Sequence, residues 1–347
     1  MLYLNQKIDI LSMDMDALSE YMKTLGEPGF RAGQIFEWLH AKRAVSFEEM
    51  TNVSKTLRQK LDSECYIPRP SVADLQISGI DGTRKYLFAM EDGAAVESVL
   101  MKYEHGYSVC ISSQVGCRMG CRFCASTIGG LVRNLRPSEM AGQIYGIEAH
   151  AGVRVSNIVV MGTGEPLDNY DNLLSFIRII NDPHGINISA RNITVSTCGL
   201  VEKMRKLADE KLQITLAISL HAPDQEKREK LMPVAKSVEI HELVKTAAYY
   251  FETTGRRITF EYALVAGEND SDGDAEKLAQ LLKGLNAHVN LIPVNPVTEA
   301  GFKQPDRASV EAFLKKLEKK GINGTIRREM GRDIDGACGQ LRRKHLS

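Results

Sequence analysis

The sequence of 347 residues contains no long hydrophobic run. Its apolar stretches, such as "NIVVM" and "LAISL", fall far short of the ~20 residues that a membrane-spanning helix requires. The first residues, "MLYLNQKIDILSMDMD", carry acids where a signal peptide has bases followed by an apolar block. No internal repeat or low-complexity segment is present. We therefore expect a cytoplasmic globular protein that has no membrane partner.

The chain also lacks net charge, since 44 Lys and Arg balance 44 Asp and Glu. The total therefore neither favours nor excludes a nucleic-acid partner, but the distribution is uneven. No acid occurs from His105 to Ser138, where four arginines lie, and from Gly301 onward twelve Lys or Arg stand against six acids. These two basic segments fit a polyanionic substrate. Taken alone, solvated surface charge explains them about equally well.

A disulfide framework is not indicated, because the seven cysteines are odd in number and three of them are crowded together. Cys117, Cys121 and Cys124 follow the spacing C-x3-C-x2-C in "GCRMGCRFCAS". Structural zinc requires four closed ligands, usually as two separated pairs, and no second pair is present. Three thiolates suit a 4Fe-4S cluster that keeps one iron open to an exogenous ligand. A non-enzymatic RNA-binding protein with structural zinc is the alternative.

The apolar periodicity predicts an α/β fold. Helical spacing over 12–65, with Ser54 as a helix N-cap, predicts a small helical module. Residues 71–113 alternate with period two around the turns Asp81-Gly82 and Asp92-Gly93, which predicts a three-strand meander. Six β–α units then follow in series and predict a parallel sheet with right-handed crossovers.

Six units are fewer than the eight of a closed barrel, so we predict a partial (β/α)6 TIM-like barrel that remains open. Catalytic residues of such folds lie at the C-terminal ends of the strands, where the cysteine triplet follows the first strand. We divide the chain into an N-terminal helical accessory domain (1–68), a β-meander extension (69–104), the barrel core (105–300) and a C-terminal extension (301–347). The last of these carries Cys338 between glycines in "DGACGQ", which suggests a flexible loop able to fold into a site.

The triplet resembles the signature of the radical S-adenosylmethionine (SAM) superfamily. An aromatic residue, Phe123, precedes the third cysteine, and "MGTGEP" ends the next strand without the third glycine of a dinucleotide-binding loop. From roughly Glu27 to Arg342 the chain resembles the RlmN family of RNA methyltransferases within that superfamily. The resemblance is carried by "FRAGQIFEWLH", "VESVLM", "CISSQVGCRMGCRFCASTIGGLVRNL", "MGTGEPLDNYDN", "RNITVSTCG", "AISLHAPD", "LIPVNPV" and "REMGRDIDGACGQLR". The predicted barrel is then of the radical SAM type.

The resemblance implies two cofactors. Cys117, Cys121 and Cys124 would hold the 4Fe-4S cluster, whose open iron chelates the amino and carboxylate groups of SAM. The residues implied to contact SAM all lie at or just past predicted strand ends, and they are Gly164, Glu165, Ser196, Ser219, His221 and Asn295. Taken singly, the histidine is equally a core or surface residue and the two serines are turn hydroxyls. Their shared edge favours a binding role.

The implied reaction is methylation of carbon 2 of an adenine, an electron-poor carbon that a radical can attack. One SAM methylates Cys338, and a second gives a 5′-deoxyadenosyl radical that removes hydrogen from the S-methyl group. The resulting carbon radical adds to the adenine, Glu97 accepts the proton of carbon 2, and Cys110 releases the product through a transient disulfide with Cys338. Without the resemblance, these two cysteines would be an ordinary core residue and an ordinary tail residue.

The resemblance also implies partners. The substrates are an adenosine of 23S rRNA and, in some members, the adenosine 3′ of the tRNA anticodon, either of which must be unstacked to expose carbon 2. Flavodoxin or ferredoxin would reduce the cluster, and we expect a monomer. The Cfr type, which methylates carbon 8, is the nearest alternative, although "CASTIGGLVRNL" and "MGTGEPLDNYDN" look like RlmN. A radical enzyme that acts on a protein or metabolite is a third, which the pair of Cys110 and Cys338 argues against.

Overall fold

The computed structural model describes residues 7–295, 297, 299–337 and 339–341, and the backbone of 344–345. Within this part of the chain, no helix is long and apolar enough to cross a membrane. The α-helices of the described residues are α1 (Met15–Thr24), α2 (Phe30–Phe36), α3 (Lys55–Glu64), α4 (Pro137–Ala151), α5 (Tyr170–Asn181), α6 (Val201–Asp209), α7 (Gln225–Leu231), α8 (Ile240–Thr254), α9 (Asp272–Leu281) and α10 (Arg307–Lys319). Short 3-10 turns lie at Ile10–Ser12, Phe47–Glu49, Ala125–Thr127, Pro166–Asn169, Ala190–Asn192, Pro233–Ser237 and Arg332–Ile334, and a π-helical turn spans Glu37–Ala41.

The strands are β1 (Ile8–Asp9), β2 (Cys65–Tyr66), β3 (Ser71–Ile77), β4 (Arg84–Ala89), β5 (Ala94–Tyr103), β6 (Gly106–Cys110), β7 (Gln114–Gly116), β8 (Leu131–Asn134), β9 (Val155–Val160), β10 (Ile193–Thr197), β11 (Thr215–Ser219), β12 (Ile258–Leu264), β13 (Ala287–Pro293), β14 (Asn323–Ile326) and β15 (Lys344–His345). β1 pairs in parallel with β2, β7 pairs with β8, and the other strands form one eleven-stranded sheet.

The N-terminal module forms its own small core around α1, α2 and α3. Two of its helices begin at residues whose side chains accept a backbone N–H, Asp14 from Ala17 at 3.0 Å and Ser54 from Leu57 at 3.2 Å. The buried apolar side chains of the module pack together with Ile179, which belongs to α5 of the barrel. The predicted helices of this region are confirmed, and they pack directly against the barrel.

Polar contacts also join the module to α4. Ser138 donates from its hydroxyl to Asp9 at 2.6 Å. In the π-helical turn, Nδ1 of the buried His40 lies 2.9 Å from the hydroxyl of Tyr145. Burial lowers the pKa of His40 to about 3, so the imidazole is neutral at physiological pH.

The large sheet contains seven consecutive parallel strands in the order β6, β9, β10, β11, β12, β13 and β14. The helices α4 to α10 fill the crossovers, and the apolar faces of all of them except α7 belong to the main core together with the buried residues of the strands. The outermost strands, β14 and β3, do not pair with each other, so the barrel is open. The predicted partial barrel of the radical SAM type is confirmed. The last strand, β14, is expected from the sequence as a strand but not as a member of this sheet.

On its other side the sheet continues as the antiparallel meander β3-β4-β5-β6. Gly82 and Gly93 have φ values of +74° and +80°, which agrees with the turns expected from the two Asp-Gly pairs. The end of the chain returns to this region, where β15 pairs antiparallel with β5 at Ala94 and Ala95. Only the last described residues of the C-terminal extension therefore lie beside the meander, since β14 is at the opposite edge of the sheet. The four-part division of the chain stays a prediction.

Candidate active site

Side chains from several strands meet in one pocket at the C-terminal edge of the parallel sheet. The pocket encloses about 940 Å³, including its open mouth, which is in the range of small-molecule sites. Its lining includes nine of the residues expected from the sequence: Cys117, Cys121, Cys124, Gly164, Glu165, Ser196, Ser219, His221 and Asn295. The structure thus brings together both sets of cofactor residues, the cysteine triplet and the implied SAM contacts.

The cysteine loop is held by the antiparallel pair β7 and β8, which the sequence analysis did not predict. Gly116 ends β7 with a φ of +79°, and a Cβ at this position would lie 1.9 Å from the carbonyl oxygen of Gly130. Only glycine fits there. The hairpin therefore closes tightly just before Cys117 and fixes the start of the loop.

The thiols of the triplet lie in apolar surroundings. Cys117 belongs to a buried cluster with Met119 and Met232, and Cys121 and Phe123 pack against that cluster. Burial raises the pKa of Cys117 to about 12 and raises that of Cys121 well above its ordinary value. These thiols are therefore neutral unless a bound cation compensates their negative charge.

This donor set fits an iron–sulfur cluster. Three thiols line one side of a pocket that is wide enough for a further ligand on the open side. In the part of the chain that the structure describes, no three His, Cys, Asp or Glu side chains are arranged to hold a single metal ion. Cysteine thiolates are the ligands that hold iron–sulfur clusters in proteins.

Glu165 is buried beneath the pocket and is held by backbone donors. Its carboxylate accepts from the N–H groups of Cys198 at 2.7 Å and Leu167 at 3.0 Å. Burial raises the pKa of Glu165, and these hydrogen bonds oppose the rise. Gly164 has a φ of +113°, and a Cβ there would lie 2.6 Å from Cβ of Gln114. The chain can therefore turn at this position and present a fixed acceptor to an ammonium group.

His221 is held as a neutral donor. Its Nδ1 lies 2.9 Å from the backbone N–H of Ala263, which can only donate, so Nδ1 accepts and the proton resides on Nε2. Burial, followed by the charge of Arg228, lowers the pKa of His221 to about 3. Its ring meets Phe123 edge to face, with centroids 4.8 Å apart. The imidazole thus lines the pocket as an uncharged group of fixed orientation.

A second pocket adjoins the first, and the two share Met161, Ile292, Asn295 and Arg327. Cys110, the last residue of β6, lines the second pocket together with residues of the C-terminal tail. Cys338 lies outside the described residues, but the residues beside it are described. Ala337 lines the second pocket, and Gly339 lines the first and accepts a hydrogen bond from the N–H of Ala125 at 2.7 Å. The tail is therefore packed on the cysteine loop.

Glu97 is buried on β5 and is not among the described residues that line the two pockets. Its carboxylate lies 3.4 Å from the ammonium of Lys85, which is also buried. The same ammonium lies 3.4 Å from the carbonyl oxygen of Asp335 in the tail. Val99, two residues after Glu97, lines the second pocket. The carboxylate is thus held under the tail, on the same strand as that pocket.

Sequence reasoning missed several residues at the site. Lys85, Cys198, Arg228, Glu261 and Arg327 are brought there from distant parts of the chain. Glu261 and Arg327 both line the first pocket and form an ion pair at 3.5 Å. Two of them could have been found from the sequence. Cys198 and Glu261 lie on or just after predicted strands, where the inward-facing polar residues of a barrel collect.

Family models match two parts of the chain. The model of the ribosomal RNA large subunit methyltransferase N-terminal domain matches residues 8–67, and that of the radical SAM superfamily matches residues 111–282. A protein from Lachnospira eligens, described as a probable dual-specificity RNA methyltransferase RlmN, is 61% identical over 97% of each chain. A protein of the same description from Lachnoclostridium phytofermentans is 57% identical and covers 99% of this chain and 96% of its own.

A solved structure has the same fold over nearly the whole chain. It is the crystal structure of a radical SAM methyltransferase from Sphaerobacter thermophilus, which is 42% identical to this chain. The match has a TM-score of 0.90 and covers 96% of this chain and 99% of the other. The likeness therefore includes the N-terminal module and the tail as well as the barrel.

Proposed function

The chain belongs to the RlmN family of radical SAM methyltransferases, and on that premise we propose that it methylates carbon 2 of an adenosine in 23S rRNA and of the adenosine 3′ of the tRNA anticodon. Membership of the superfamily implies SAM and a 4Fe-4S cluster as cofactors. The observation that carries the proposal is the pair of joined pockets. One of them gathers the nine expected cofactor residues, and the other contains Cys110 and a tail residue adjacent to Cys338.

Each group of residues at the first pocket has one task. The thiolates of Cys117, Cys121 and Cys124 would hold the 4Fe-4S cluster, and three protein ligands would leave it able to take an exogenous ligand. The buried carboxylate of Glu165 binds the ammonium of SAM, while the neutral His221 orients it without adding charge. When bound, the cluster and two SAM molecules per turnover supply a methyl group and the radical that removes one of its hydrogens. The packed tail excludes water from this chemistry.

Three further residues transfer the methyl carbon, accept the proton of carbon 2 and release the methylated RNA. Cys338 carries the methyl carbon and becomes joined through it to carbon 2 of the adenine. Glu97 accepts the proton of carbon 2, and the Lys85 ammonium, 3.4 Å away, holds the Glu97 side chain in place. The Cys110 thiolate then attacks the sulfur of Cys338. A sulfur–sulfur bond forms as the bond between that sulfur and the carbon breaks. The carbon keeps the electron pair of the broken bond and takes up a proton, which completes the methyl group and frees the RNA.

The proposal extends to the partners and the setting. We propose that the enzyme acts in the cytoplasm as a monomer and takes electrons from flavodoxin or ferredoxin, because a cluster of this class needs a low-potential donor. The basic tail and the arginines of the cysteine loop would contact the RNA backbone. Arg118 in that loop is exposed enough to do so, with 64% of its side chain accessible. The N-terminal module would help to hold the RNA.

The sequence alternatives are not favoured. The relatives described above carry the RlmN description over at least 97% of this chain, which argues against the Cfr type. Their description as methyltransferases also argues against a non-enzymatic zinc protein. A radical enzyme for a protein or metabolite substrate is disfavoured by the rRNA methyltransferase domain matched at 8–67.

The test is an anaerobic turnover with isotopic labels. Purified enzyme is given an unmethylated 23S rRNA fragment, a reductant and SAM whose methyl group is deuterated, and the nucleosides are analysed by mass spectrometry. We expect 2-methyladenosine with two deuteriums and 5′-deoxyadenosine with the third. An unmodified tRNA in a parallel reaction tests the second substrate.

The outcomes separate the parts of the proposal. An 8-methyladenosine product would contradict the assignment of carbon 2. A product that retains all three deuteriums would contradict the route through a methyl group on Cys338. A brown, reducible enzyme that modifies neither RNA would contradict the substrates alone.

A further inference from the structure

One buried charge near the cysteine loop has no role in the reaction described above. The guanidinium of Arg228, on α7, is 0% exposed, which is rare for a side chain that is always charged. Its Nη2 donates to the carbonyl of Cys198 at 2.7 Å and lies 3.5 Å from that of Ser219. Its Nε and Nη1 are buried and have no hydrogen-bond partner.

This cation lies directly behind the cysteine loop. The backbone N–H of Arg122, next to Cys121, donates to the carbonyl of Leu231 at the end of α7, at 3.0 Å. Leu231 and Met232, which follow Arg228 along the chain, belong to the same apolar cluster as Cys117 and Cys198. The guanidinium is therefore close enough to the loop for its charge to act on the thiol of Cys121, and it is shielded from water.

No anion compensates the charge. Among the described residues, no carboxylate forms an ion pair with Arg228, although the molecule pairs many exposed arginines in this way. Its first hydrogen-bond partner is a carbonyl oxygen, which carries only a partial charge. Burial lowers the pKa of the guanidinium, and the charges of Cys198 and Cys121 oppose this effect. A buried, unpaired cation costs several kcal/mol. The fold therefore keeps a charge here that the protein alone does not neutralise.

We propose that Arg228 is the internal counter-cation of the iron–sulfur cluster and that it raises the reduction potential of the cluster. The inference rests on the proposed ligation by the three cysteines. Three thiolates around a cluster of four irons carry net negative charge, and one added electron increases it. A fixed positive charge in a medium of low dielectric constant favours both the loaded site and the reduced state. Arg228 is thus a positioning residue, since it touches neither SAM nor RNA.

The test uses full-length protein prepared without oxygen and reconstituted with ferrous iron and sulfide. Arg228→Met removes the charge and keeps an unbranched apolar chain, and Arg228→Lys keeps the charge. Arg256→Met is the matched control. Arg256 is half-buried and, like Arg228, has an Nε without a hydrogen-bond partner, but it donates to Thr215 at the opposite end of β11. Three quantities are measured. They are the iron content per chain, the melting temperature of the apoprotein, and the fraction of reduced cluster, which electron paramagnetic resonance gives at fixed potentials set with dithionite.

For Arg228→Met we expect the ratio of reduced to oxidised cluster at a fixed potential to fall about tenfold, which is ~59 mV for a one-electron couple. Arg228→Lys should recover most of this ratio, and Arg256→Met should match the wild type. The apoprotein of Arg228→Met should melt at the same or a higher temperature, because an unpaired buried charge has been removed. A merely structural arginine would give the opposite shift in melting temperature.

Two results would overturn the inference. If Arg228→Met and the wild type take up equal iron and titrate at the same potential, Arg228 has no role toward the cluster, and the ligation by the cysteines still stands. If the wild type itself binds no iron after reconstitution, the proposed cluster fails and the inference fails with it. A variant that loses iron while its apoprotein melts normally supports the inference when Arg228→Lys restores the iron.

Discussion

Lys85 and Glu97 form a buried ion pair, so we expect a change at Lys85 to act on the reaction through Glu97. We expect Lys85→Met to lower RNA methylation by roughly 10- to 100-fold, because a buried carboxylate that loses its charge partner is destabilised by about 3–5 kcal/mol. Iron content and 5′-deoxyadenosine formation should be unchanged, since Lys85 lines neither pocket. Exposed Lys102, on the same sheet, gives the control Lys102→Met. Full methylation by Lys85→Met would show that the pair is only structural.

The position of Cys110 in the second pocket leads to a prediction about a trapped product. In Cys110→Ala no thiolate can attack Cys338, so the chain should copurify with covalently attached RNA. The measurement is a denaturing gel run with and without ribonuclease. The protein with attached RNA should migrate as a slow, heterogeneous band, and ribonuclease should convert that band to one near the position of the free chain. Cys65→Ala is the control, because Cys65 is equally buried but belongs to the core of the N-terminal module. Clean, RNA-free Cys110→Ala protein would remove Cys110 from the release step.

At this scale the sequence was informative where residues are close in the chain or follow strands. The triplet is recognisable because its three thiols lie within eight residues. The residues proposed to contact SAM came from the family resemblance, which their positions at or just past predicted strand ends supported. Lys85 and Arg228 were not predictable. Lys85 lies in an alternating strand where either face is allowed, and Arg228 lies in the charged stretch "QEKREKL", whose composition is typical of a solvent-exposed segment. Their burial depends on which elements the fold places over them, and local patterns do not contain that information.

Among the elements, the hairpin of β7 and β8 determines how the cysteine loop begins. We expect Gly116→Ala to abolish cluster loading, because its Cβ would lie 1.9 Å from a backbone oxygen that cannot move without breaking the hairpin. The readout is iron per chain and the brown absorbance after reconstitution. Gly130→Ala is a matched control, since it has a φ of +68° and nothing within 4 Å of the added Cβ. That variant should lose only ~1 kcal/mol of stability and keep its iron.

The elements that the sequence predicted well are those with strong local signals. α4 (Pro137–Ala151) is one of the helices of the predicted β–α units, and its ends are marked in the sequence by Pro137 at its start and by Gly152, with a φ of +65°, after its last residue. The hairpin of β7 and β8 was missed because its strands are only three and four residues long. α7 was missed because seven mostly charged residues show no apolar period. Both elements are short, and both are stabilised by tertiary contacts around the cysteine loop.

For the molecule as a whole, the buried His40 links folding stability to pH. The folded state keeps this imidazole neutral down to a pKa of about 3, whereas the unfolded chain takes up a proton near its ordinary value of about 6.5. The unfolded state therefore binds more protons in this window, and stability is lost as the pH falls from about 6.5 toward 3. His40 should account for about 1.4 kcal/mol of the loss between pH 7.5 and pH 5.5.

Urea unfolding of the wild type and His40→Gln at both pH values measures this contribution. The variant is expected to be less stable at each pH, but its loss on acidification should be smaller by the amount given above. His184→Gln is the control, since His184 is exposed, with 61% of its side chain accessible. Equal losses for the wild type and His40→Gln would contradict the link between this residue and acid sensitivity.

The order of the strands has a consequence for folding during synthesis. From β6 to β14 each strand is added beside the one before it, so the sheet can grow at one edge as the chain leaves the ribosome. In the described part of the chain, the pairing of β15 with β5 is the exception, since it joins segments about 250 residues apart. The emerging protein can therefore assemble its barrel and cysteine loop while the tail is still being made. The pairing of β15 with β5 can form only after every strand of the barrel has been made, so it closes the sheet over structure that already exists.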